Sequence, residues 1–392
     1  MPTAPASPST ARAINDRLAL RLLQEEGPLT AGRLKQLTGL SRPTVADLVE
    51  RLQLAGLVEV VGETGAERRG PNARVYGIVS GRAHLAALDV RLRGVSVTVT
   101  DLLGVPLAEA SVPVDGGTAT GPAVEQAAAL LERTIEEAGA SRLHTVGIGA
   151  PGLVDPATGT LRDSAKLPAW HRRLVTVLRE RLPGAVLVEN ETNLAAVAEA
   201  REGTARDRDT FVLLWLSHGV GAAVVLDGSL RRGASGGAGE LGFLPVPGTG
   251  ALPSATDCAG GFHALVGAAA LRDLAAEYGP VGGADDLEAV LAALREPAGA
   301  FLDALAGRIA LGAAAVGAVL DPGCVVLGGE IGHAGGPRLA ARVEDRLSAL
   351  SPLRTEVRAG TLGGRAVLRG ALLTARDAAQ DDLFGGPSPG PR

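Results

Sequence analysis

The chain of 392 residues is poor in aromatic side chains, which make up 2% of it. Any core must therefore be filled by Leu, Val and Ala rather than by rings. It has two cysteines, Cys258 and Cys324, which excludes a disulfide framework and a four-cysteine zinc site; two unpaired thiols are the plainer reading. It lacks a long apolar run: the longest, Ile309–Leu320, has 12 residues and is ended by Asp321-Pro322, short of the ~20 that a membrane helix needs. The opening MPTAPASPST has no apolar stretch, so a secretory signal is not expected there. A soluble, cytoplasmic protein with no membrane partner is the expectation. Positive charge is also scarce, with a net charge of −5, which taken alone argues against nucleic acid.

What is present qualifies that last point. Residues 1–80 hold ten Lys or Arg against eight Asp or Glu, a net of +2, whereas the remainder holds 28 against 35, a net of −7. A mildly basic module on an acidic body is consistent with DNA contacts confined to one end. Hydrophobic residues make up 46% and charged residues 21%, an ordinary globular balance. The length implies two or three domains of roughly 100–200 residues each.

The first ten residues, rich in Pro, Ser, Thr and Ala, read as a disordered tail (1–10). Ile14, Leu18 and Leu22 then recur at helical spacing, with Leu23 beside them, until Gly27-Pro28 stops the helix. Thr30 suits the N-cap of a second helix burying Leu34 and Leu37, and Gly39 breaks it, as the turn of a helix-turn-helix often does. Ser41 is a good N-cap for a third helix with Pro43 in its first turn. Val45, Leu48, Val49 and Leu52 form its apolar stripe, and Arg42, Thr44, Asp47, Glu50 and Arg51 fall off it. Two strand-like runs, Leu57–Val61 and Val75–Val79, flank a loop carrying Arg68, Arg69 and Arg74. This pattern predicts a winged helix-turn-helix over residues 11–80. The third helix would enter the major groove, with Ser41, Arg42, Pro43, Thr44, Asp47 and Arg51 as candidate DNA residues. Arg42 suits a guanine or a phosphate and Thr44 a base edge or thymine methyl. Arg68, Arg69 and Arg74 of the wing suit phosphates or a narrow minor groove. A winged helix used only for protein contacts is the competing reading.

Beyond Ser80-Gly81, a short linker, strand-like runs alternate with helical ones. Val95–Thr100, Thr145–Gly149, Val186–Val188, Phe211–Ser217, Gly221–Leu226 and Cys324–Leu327 are candidate strands. Gln126–Glu137, Leu174–Arg181, Asn193–Arg201 and Ala304–Val319 are candidate helices. The alternation predicts an α/β body.

Several segments, in order, resemble the ROK family of bacterial sugar kinases and sugar-responsive repressors. They are VGIGAPGLVDPATG (146–159), KLPAW (166–170), VENETNLAAVAEA (188–200), SHGVGAAVVLDGSLRRGASGGAGELGF (217–243) and DPGCVVLGG (321–329). The resemblance spans roughly residues 12–378, and it implies a two-lobed actin/hexokinase-like (ROK) body. Lobe 1 would occupy 81–200, joined by a C-terminal helix at 365–378, and lobe 2 would occupy 201–364, followed by a flexible tail at 379–392.

The resemblance also exposes departures from a family kinase. The phosphate loop of the form D-x-G-G-T corresponds to LDVRLRGVSV, where Asp89 remains but Arg91, Leu92 and Arg93 replace Gly, Gly and Thr. Bulky side chains there block a backbone cradle for ATP. Arg91 and Arg93 binding phosphate themselves is the competing reading. The catalytic Asp position is Glu191, whose carboxylate sits further out, and a misplacement of ~1 Å lowers a rate by about a hundredfold. Asn190 and Glu240 match hydroxyl-binding residues, whereas Phe243 and His263 stand where the family has His and Glu. Asn190 and Glu240 are equally well explained as loop hydrogen-bonding residues. In SATDCAGGFHALVG, Ser254, Thr256 and Gly261 replace three zinc cysteines, so no metal is expected.

The expectation is therefore a DNA-binding transcriptional repressor with no enzymatic activity and no cofactor. A sugar or sugar derivative would bind at Asn190, Glu191, Glu240 and His263. A homodimer or homotetramer would bind double-stranded DNA at a palindromic operator. The alternatives are a DNA-binding regulator whose body senses a non-sugar ligand or none, and an active sugar kinase.

Overall fold

The computed structural model describes residues 8–64, 73–162, 167–295 and 298–384. The chain opens with α1 (Pro8–Glu25), β1 (Leu29–Thr30), α2 (Ala31–Thr38), α3 (Arg42–Leu54), β2 (Val58–Thr64) and β3 (Ala73–Ile78). These strands form a small antiparallel sheet in the order β1-β3-β2. Three helices and a two-stranded wing define a winged helix-turn-helix. The reading of residues 1–10 as a disordered tail is corrected at its end, since α1 starts at Pro8; proline is tolerated there because the first N–H groups of a helix lack partners anyway.

The first half of the body contains β4 (His84–Arg91), β5 (Gly94–Asp101), β6 (Pro106–Pro113), α4 (Thr120–Glu137), β7 (Leu143–Ala150), α5 (Ala169–Arg181), β8 (Ala185–Asn190) and α6 (Glu191–Arg201). The second half contains β9 (Phe211–Leu216), β10 (Val220–Leu226), β11 (Ser229–Arg231), α7 (His263–Val266), α8 (Ala268–Ala276), α9 (Asp286–Arg295), α10 (Gly299–Leu320), β12 (Cys324–Gly328), α11 (Gly329–Leu350), β13 (Glu356–Ala359) and α12 (Ala366–Leu383).

The two halves are wired alike. One sheet has the order β6-β5-β4-β7-β8 and the other β11-β10-β9-β12-β13. In each, an antiparallel meander supplies the first three strands and the next two add in parallel. Their central strands read as unbroken apolar runs because both faces are covered. Val212, Leu214 and Leu216 of β9 face the core shared with α8 to α11. Phe211, Leu213 and Trp215 face a different core, shared with α6 and α12. In β4, Ala86, Leu88 and Val90 join the core under α4 and α5, while Leu85 and Ala87 join the α6–α12 side.

The helix α12 continues to Leu383, so the flexible tail expected from 379 is corrected there. Its last turns are held because they carry the winged helix: Ala379 and Phe384 share one core with Ala19, Leu20 and Leu23 of α1. Arg17 of α1 pairs with Asp381, and Gln380 donates to the Leu102 carbonyl at 3.4 Å. α10 is long and apolar enough to cross a membrane, yet Phe301, Leu305, Ile309 and Ala313 on it belong to the lobe 2 core.

Candidate DNA interface and ligand cleft

The caps that shape the helix-turn-helix are in place. The Thr30 hydroxyl accepts from the Arg33 N–H at 3.2 Å, and Gly39 terminates α2 in a left-handed conformation with φ 70°. The Ser41 hydroxyl caps α3, accepting from the Thr44 N–H at 3.4 Å. Val45, Leu48, Val49 and Leu52 are buried, whereas Ser41, Arg42, Pro43, Asp47 and Glu50 are exposed. The Thr44 hydroxyl lies 2.7 Å from that of Ser41, so part of its hydrogen bonding is spent on the cap. Arg51 is engaged inside the module: it donates to Asp16 of α1 at 2.6 Å and pairs with Asp47. Arg74 is exposed at the start of β3, whereas Arg68 and Arg69 lie outside the described residues.

The second site lies where the parallel strands of both sheets end, the usual position for a ligand in such folds. β4 delivers Asp89 and Arg91, the end of β8 delivers Asn190, the start of α6 delivers Glu191, and the first turn of α11 delivers Glu330. The Arg91 guanidinium donates to Asp89 at 2.7 Å, to Glu330 at 2.5 Å and to the Gly364 carbonyl at 2.5 Å. Arg93, in the next turn, reaches Asp285 at 3.4 Å. A second bond between lobes runs from Arg232 to Glu189 at 2.6 Å.

Burial sets the protonation states. Asp89 is 2% exposed, and burial pushes its carboxyl up to about 6 although Arg91 opposes this. Burial, then the Asp89 and Glu330 carboxylates, push Glu191 up to about 8, so it is mainly protonated at neutral pH. Burial holds His171 down at about 4. Its Nε2 lies 3.2 Å from the Arg91 carbonyl, so that nitrogen donates and Nδ1 is a bare acceptor. Asp89 Oδ1, Glu330 Oε2 and His171 Nδ1 are buried with no hydrogen-bond partner among the described residues.

The expected ligand residues divide. The Asn190 side chain is occupied locally: its Oδ1 accepts from the Thr192 and Asn193 N–H groups at 2.8 and 3.3 Å, and its Nδ2 donates to the Gly152 carbonyl at 2.9 Å. Glu191 sits at the first turn of α6, with Thr192 beside it 3.3 Å from where a Cβ on Gly221 would lie. The turn that carries Glu240 lies flat on β10, since the Ala222 N–H donates to the Gly239 carbonyl at 2.7 Å. Glu240 is exposed as a residue, and partial desolvation raises its carboxyl above its ordinary value. His263 opens α7, its Cβ 3.7 Å from the Cβ position of Gly242.

Sequence reasoning missed Glu330, Asp285 and His171. Glu330 was within reach, because it directly follows the motif that ends β12. Among the described residues no group of three or more His, Cys, Asp or Glu could hold a metal, and the donors that would replace the zinc cysteines do not suit zinc. A cavity of about 1260 Å³ lies elsewhere, between edge strands β8 and β11, lined by Asp155, Leu187, Glu189, Leu230 and Arg232.

Two equivalently wired lobes around a cleft, led by a winged helix-turn-helix, define an actin/hexokinase-like body joined to a DNA-binding module. A family model described as the ROK family matches residues 90–378, and the chain belongs to that family. One described as the MarR family matches residues 14–69. The xylose repressor of Bacillus subtilis (strain 168) is 25% identical over 241 residues, covering 59% of this chain and 60% of the relative. The DNA-binding transcriptional dual regulator NagC of Escherichia coli (strain K12) is 25% identical over 241 residues, covering 59% and 57%. The matches thus span under two thirds of these relatives. A solved ROK family transcriptional regulator, a homologue of the Escherichia coli MLC protein, shares the fold with TM-score 0.76 at 20% identity, over 95% of this chain and 98% of that one. A ROK glucokinase from Streptomyces griseus, solved with glucose and AMPPNP, has TM-score 0.64 and 26% identity, over 75% and 100%.

Proposed function

We propose that this protein is a DNA-binding transcriptional repressor whose two-lobed body senses a sugar or sugar derivative without phosphorylating it. One observation carries the reading: a Ser41-capped helix presents Arg42 and Pro43 to solvent on a winged helix-turn-helix. The N-terminal residues of such a helix meet base edges in the major groove. Arg42 is the base or phosphate contact, Thr44 a base-edge contact, and Arg74 with Arg68 and Arg69 of the wing hold phosphates. Similarity to repressors of sugar genes supports the sensing role, as does the Arg91 clasp in the place of a nucleotide cradle. The protein works in the cytoplasm as a homodimer or homotetramer on a palindromic operator, with half-sites about one helical turn apart or a multiple of it.

Effector binding near Glu191 and Glu240 changes DNA affinity only if it distinguishes two lobe arrangements. α12 is the mechanical link, since it packs in the body and ends against α1. The test is fluorescence anisotropy with fragments of the protein's own promoter across a salt series. Specific binding that weakens with salt is expected, and Arg42→Ala and Thr44→Ala should reduce operator affinity more than affinity for random DNA. Equal losses on both DNAs would overturn base reading by α3.

A further inference from the structure

We propose that Asp47 selects a C·G pair in each half-site through the cytosine amino group, and that Arg51 is no DNA contact but a positioning residue that aims Asp47. This rests on the reading of α3 as the helix that enters the major groove. Asp47 keeps 60% of its side chain exposed and lies one turn after Pro43, on the same face of α3. A helical side chain leans toward the N-terminus of its helix, so Asp47 leans over Pro43, toward the end that meets base edges. Little stands in its way, since Pro43 is a compact ring and its exposed neighbour Ala46 carries only a methyl.

A loose acidic side chain on this face would swing away from the DNA phosphates. Asp47 is held instead. Arg51 donates through Nη1 to Asp47 Oδ2, and the same guanidinium donates through Nη2 and Nε to Asp16 of α1 at 2.6 and 3.4 Å. The anchor therefore sits on another element: Leu20 and Leu23 of α1 share a core with Leu48, Val49 and Leu52 of α3. Only Oδ2 of Asp47 takes part in the pair, which leaves Oδ1 as an open acceptor. An ionised carboxylate can only accept hydrogen bonds. In the major groove guanine offers it two acceptors, thymine an acceptor and a methyl, and adenine a donor flanked by the N7 acceptor; cytosine offers a donor alone. Cytosine is thus the base edge that attracts this carboxylate without also repelling it.

The test is selection of duplexes from a randomised library by the full chain, followed by anisotropy titration of the winning site and its single-base variants. One position in each half-site should be cytosine, and changing that C·G pair to A·T should weaken binding about tenfold. Asp47→Ala should erase this difference, keep the preferences at other positions, and raise affinity for random DNA by removing a negative charge. Asp47→Asn should move the preference to adenine, which an amide meets with two hydrogen bonds. Arg51→Met keeps an apolar stem but frees Asp47, so the tenfold preference should fall to about threefold at that position alone. Asp16→Asn is the milder variant should Arg51→Met not fold. Unchanged preferences in Asp47→Ala, or a base other than cytosine at the position it alters, overturn the assignment of Asp47. A loss spread evenly over all sequences in the Arg51 and Asp16 variants overturns the aiming role, since a purely structural contact would weaken every site alike. If Arg42→Ala and Thr44→Ala also leave every preference unchanged, the reading of α3 as the base-contacting helix has itself failed.

Discussion

Gly370 of α12 lies directly against Leu194 of α6: a methyl group at 370 would stand 2.0 Å from the Leu194 carbonyl oxygen. Only a hydrogen there lets the two helices cross. α6 starts at Glu191 in the cleft and α12 ends against α1, so this crossing lies between the cleft and the winged helix. Gly370→Ala is expected to push the helices apart. Overpacking usually costs about 1–3 kcal/mol, and the upper part of that range is expected because the obstacle is backbone. The urea midpoint should fall accordingly, and operator affinity with it; an unchanged midpoint would show that the helices have room to separate.

The winged helix was legible because its signals are local. Thr30, Gly39, Ser41 and Pro43 each act within a turn of their own position. β4 and β6 were harder to read for opposite reasons. β4 is buried on both faces and so lacks alternation, whereas β6 is an edge strand bounded by prolines. α11 hid itself because Gly336, with φ 58°, and Pro337 interrupt its period. In the cleft, Asp89, Asn190, Glu191 and Glu240 are visible through motifs. The meaning of Arg91 is not, because its partner Glu330 is 239 residues away. A sequence reveals that a phosphate cradle is lost well before it reveals what fills the place.

Ser41 has two duties that a pair of variants separates. Ser41→Ala removes the cap of α3 and should cost about 1 kcal/mol, seen as faster hydrogen exchange in its first turn and weaker operator binding. Ser41→Asp keeps a capping oxygen, so exchange should stay slow, yet it places a negative charge beside the phosphates and should weaken binding further. Restored binding in Ser41→Asp would show that this helix end does not approach DNA.

Phe384 is 7% exposed and shares a core with Leu20 and Leu23 of α1 and Leu102 of the body. It therefore fastens the DNA module to the body. Phe384→Ala should cost about 3–5 kcal/mol at full burial, mostly at this junction. The expected readout is faster limited proteolysis near Ser80–Arg82 with the body fragment intact. A cleavage rate equal to that of the parent protein would place the fastening elsewhere.

Glu191 gives the chain a pH signature. Its folded value of about 8 lies above its ordinary 4.5, so between these the folded state holds a proton that the unfolded state has released. Stability must then fall as pH rises through that window. Asp89 acts with the same sign, from 3.8 to about 6. His171 acts with the opposite sign, because its value drops from 6.5 to about 4 and favours folding as pH rises between these. Above about 6.5 both are silent and Glu191 is left to set the slope. Denaturation followed from pH 6.5 to 8 should show stability declining in the parent protein and a flatter profile in Glu191→Gln. Equal slopes would mean that Glu191 is ionised at neutral pH, with Arg91 offsetting more of its desolvation than the buried geometry implies.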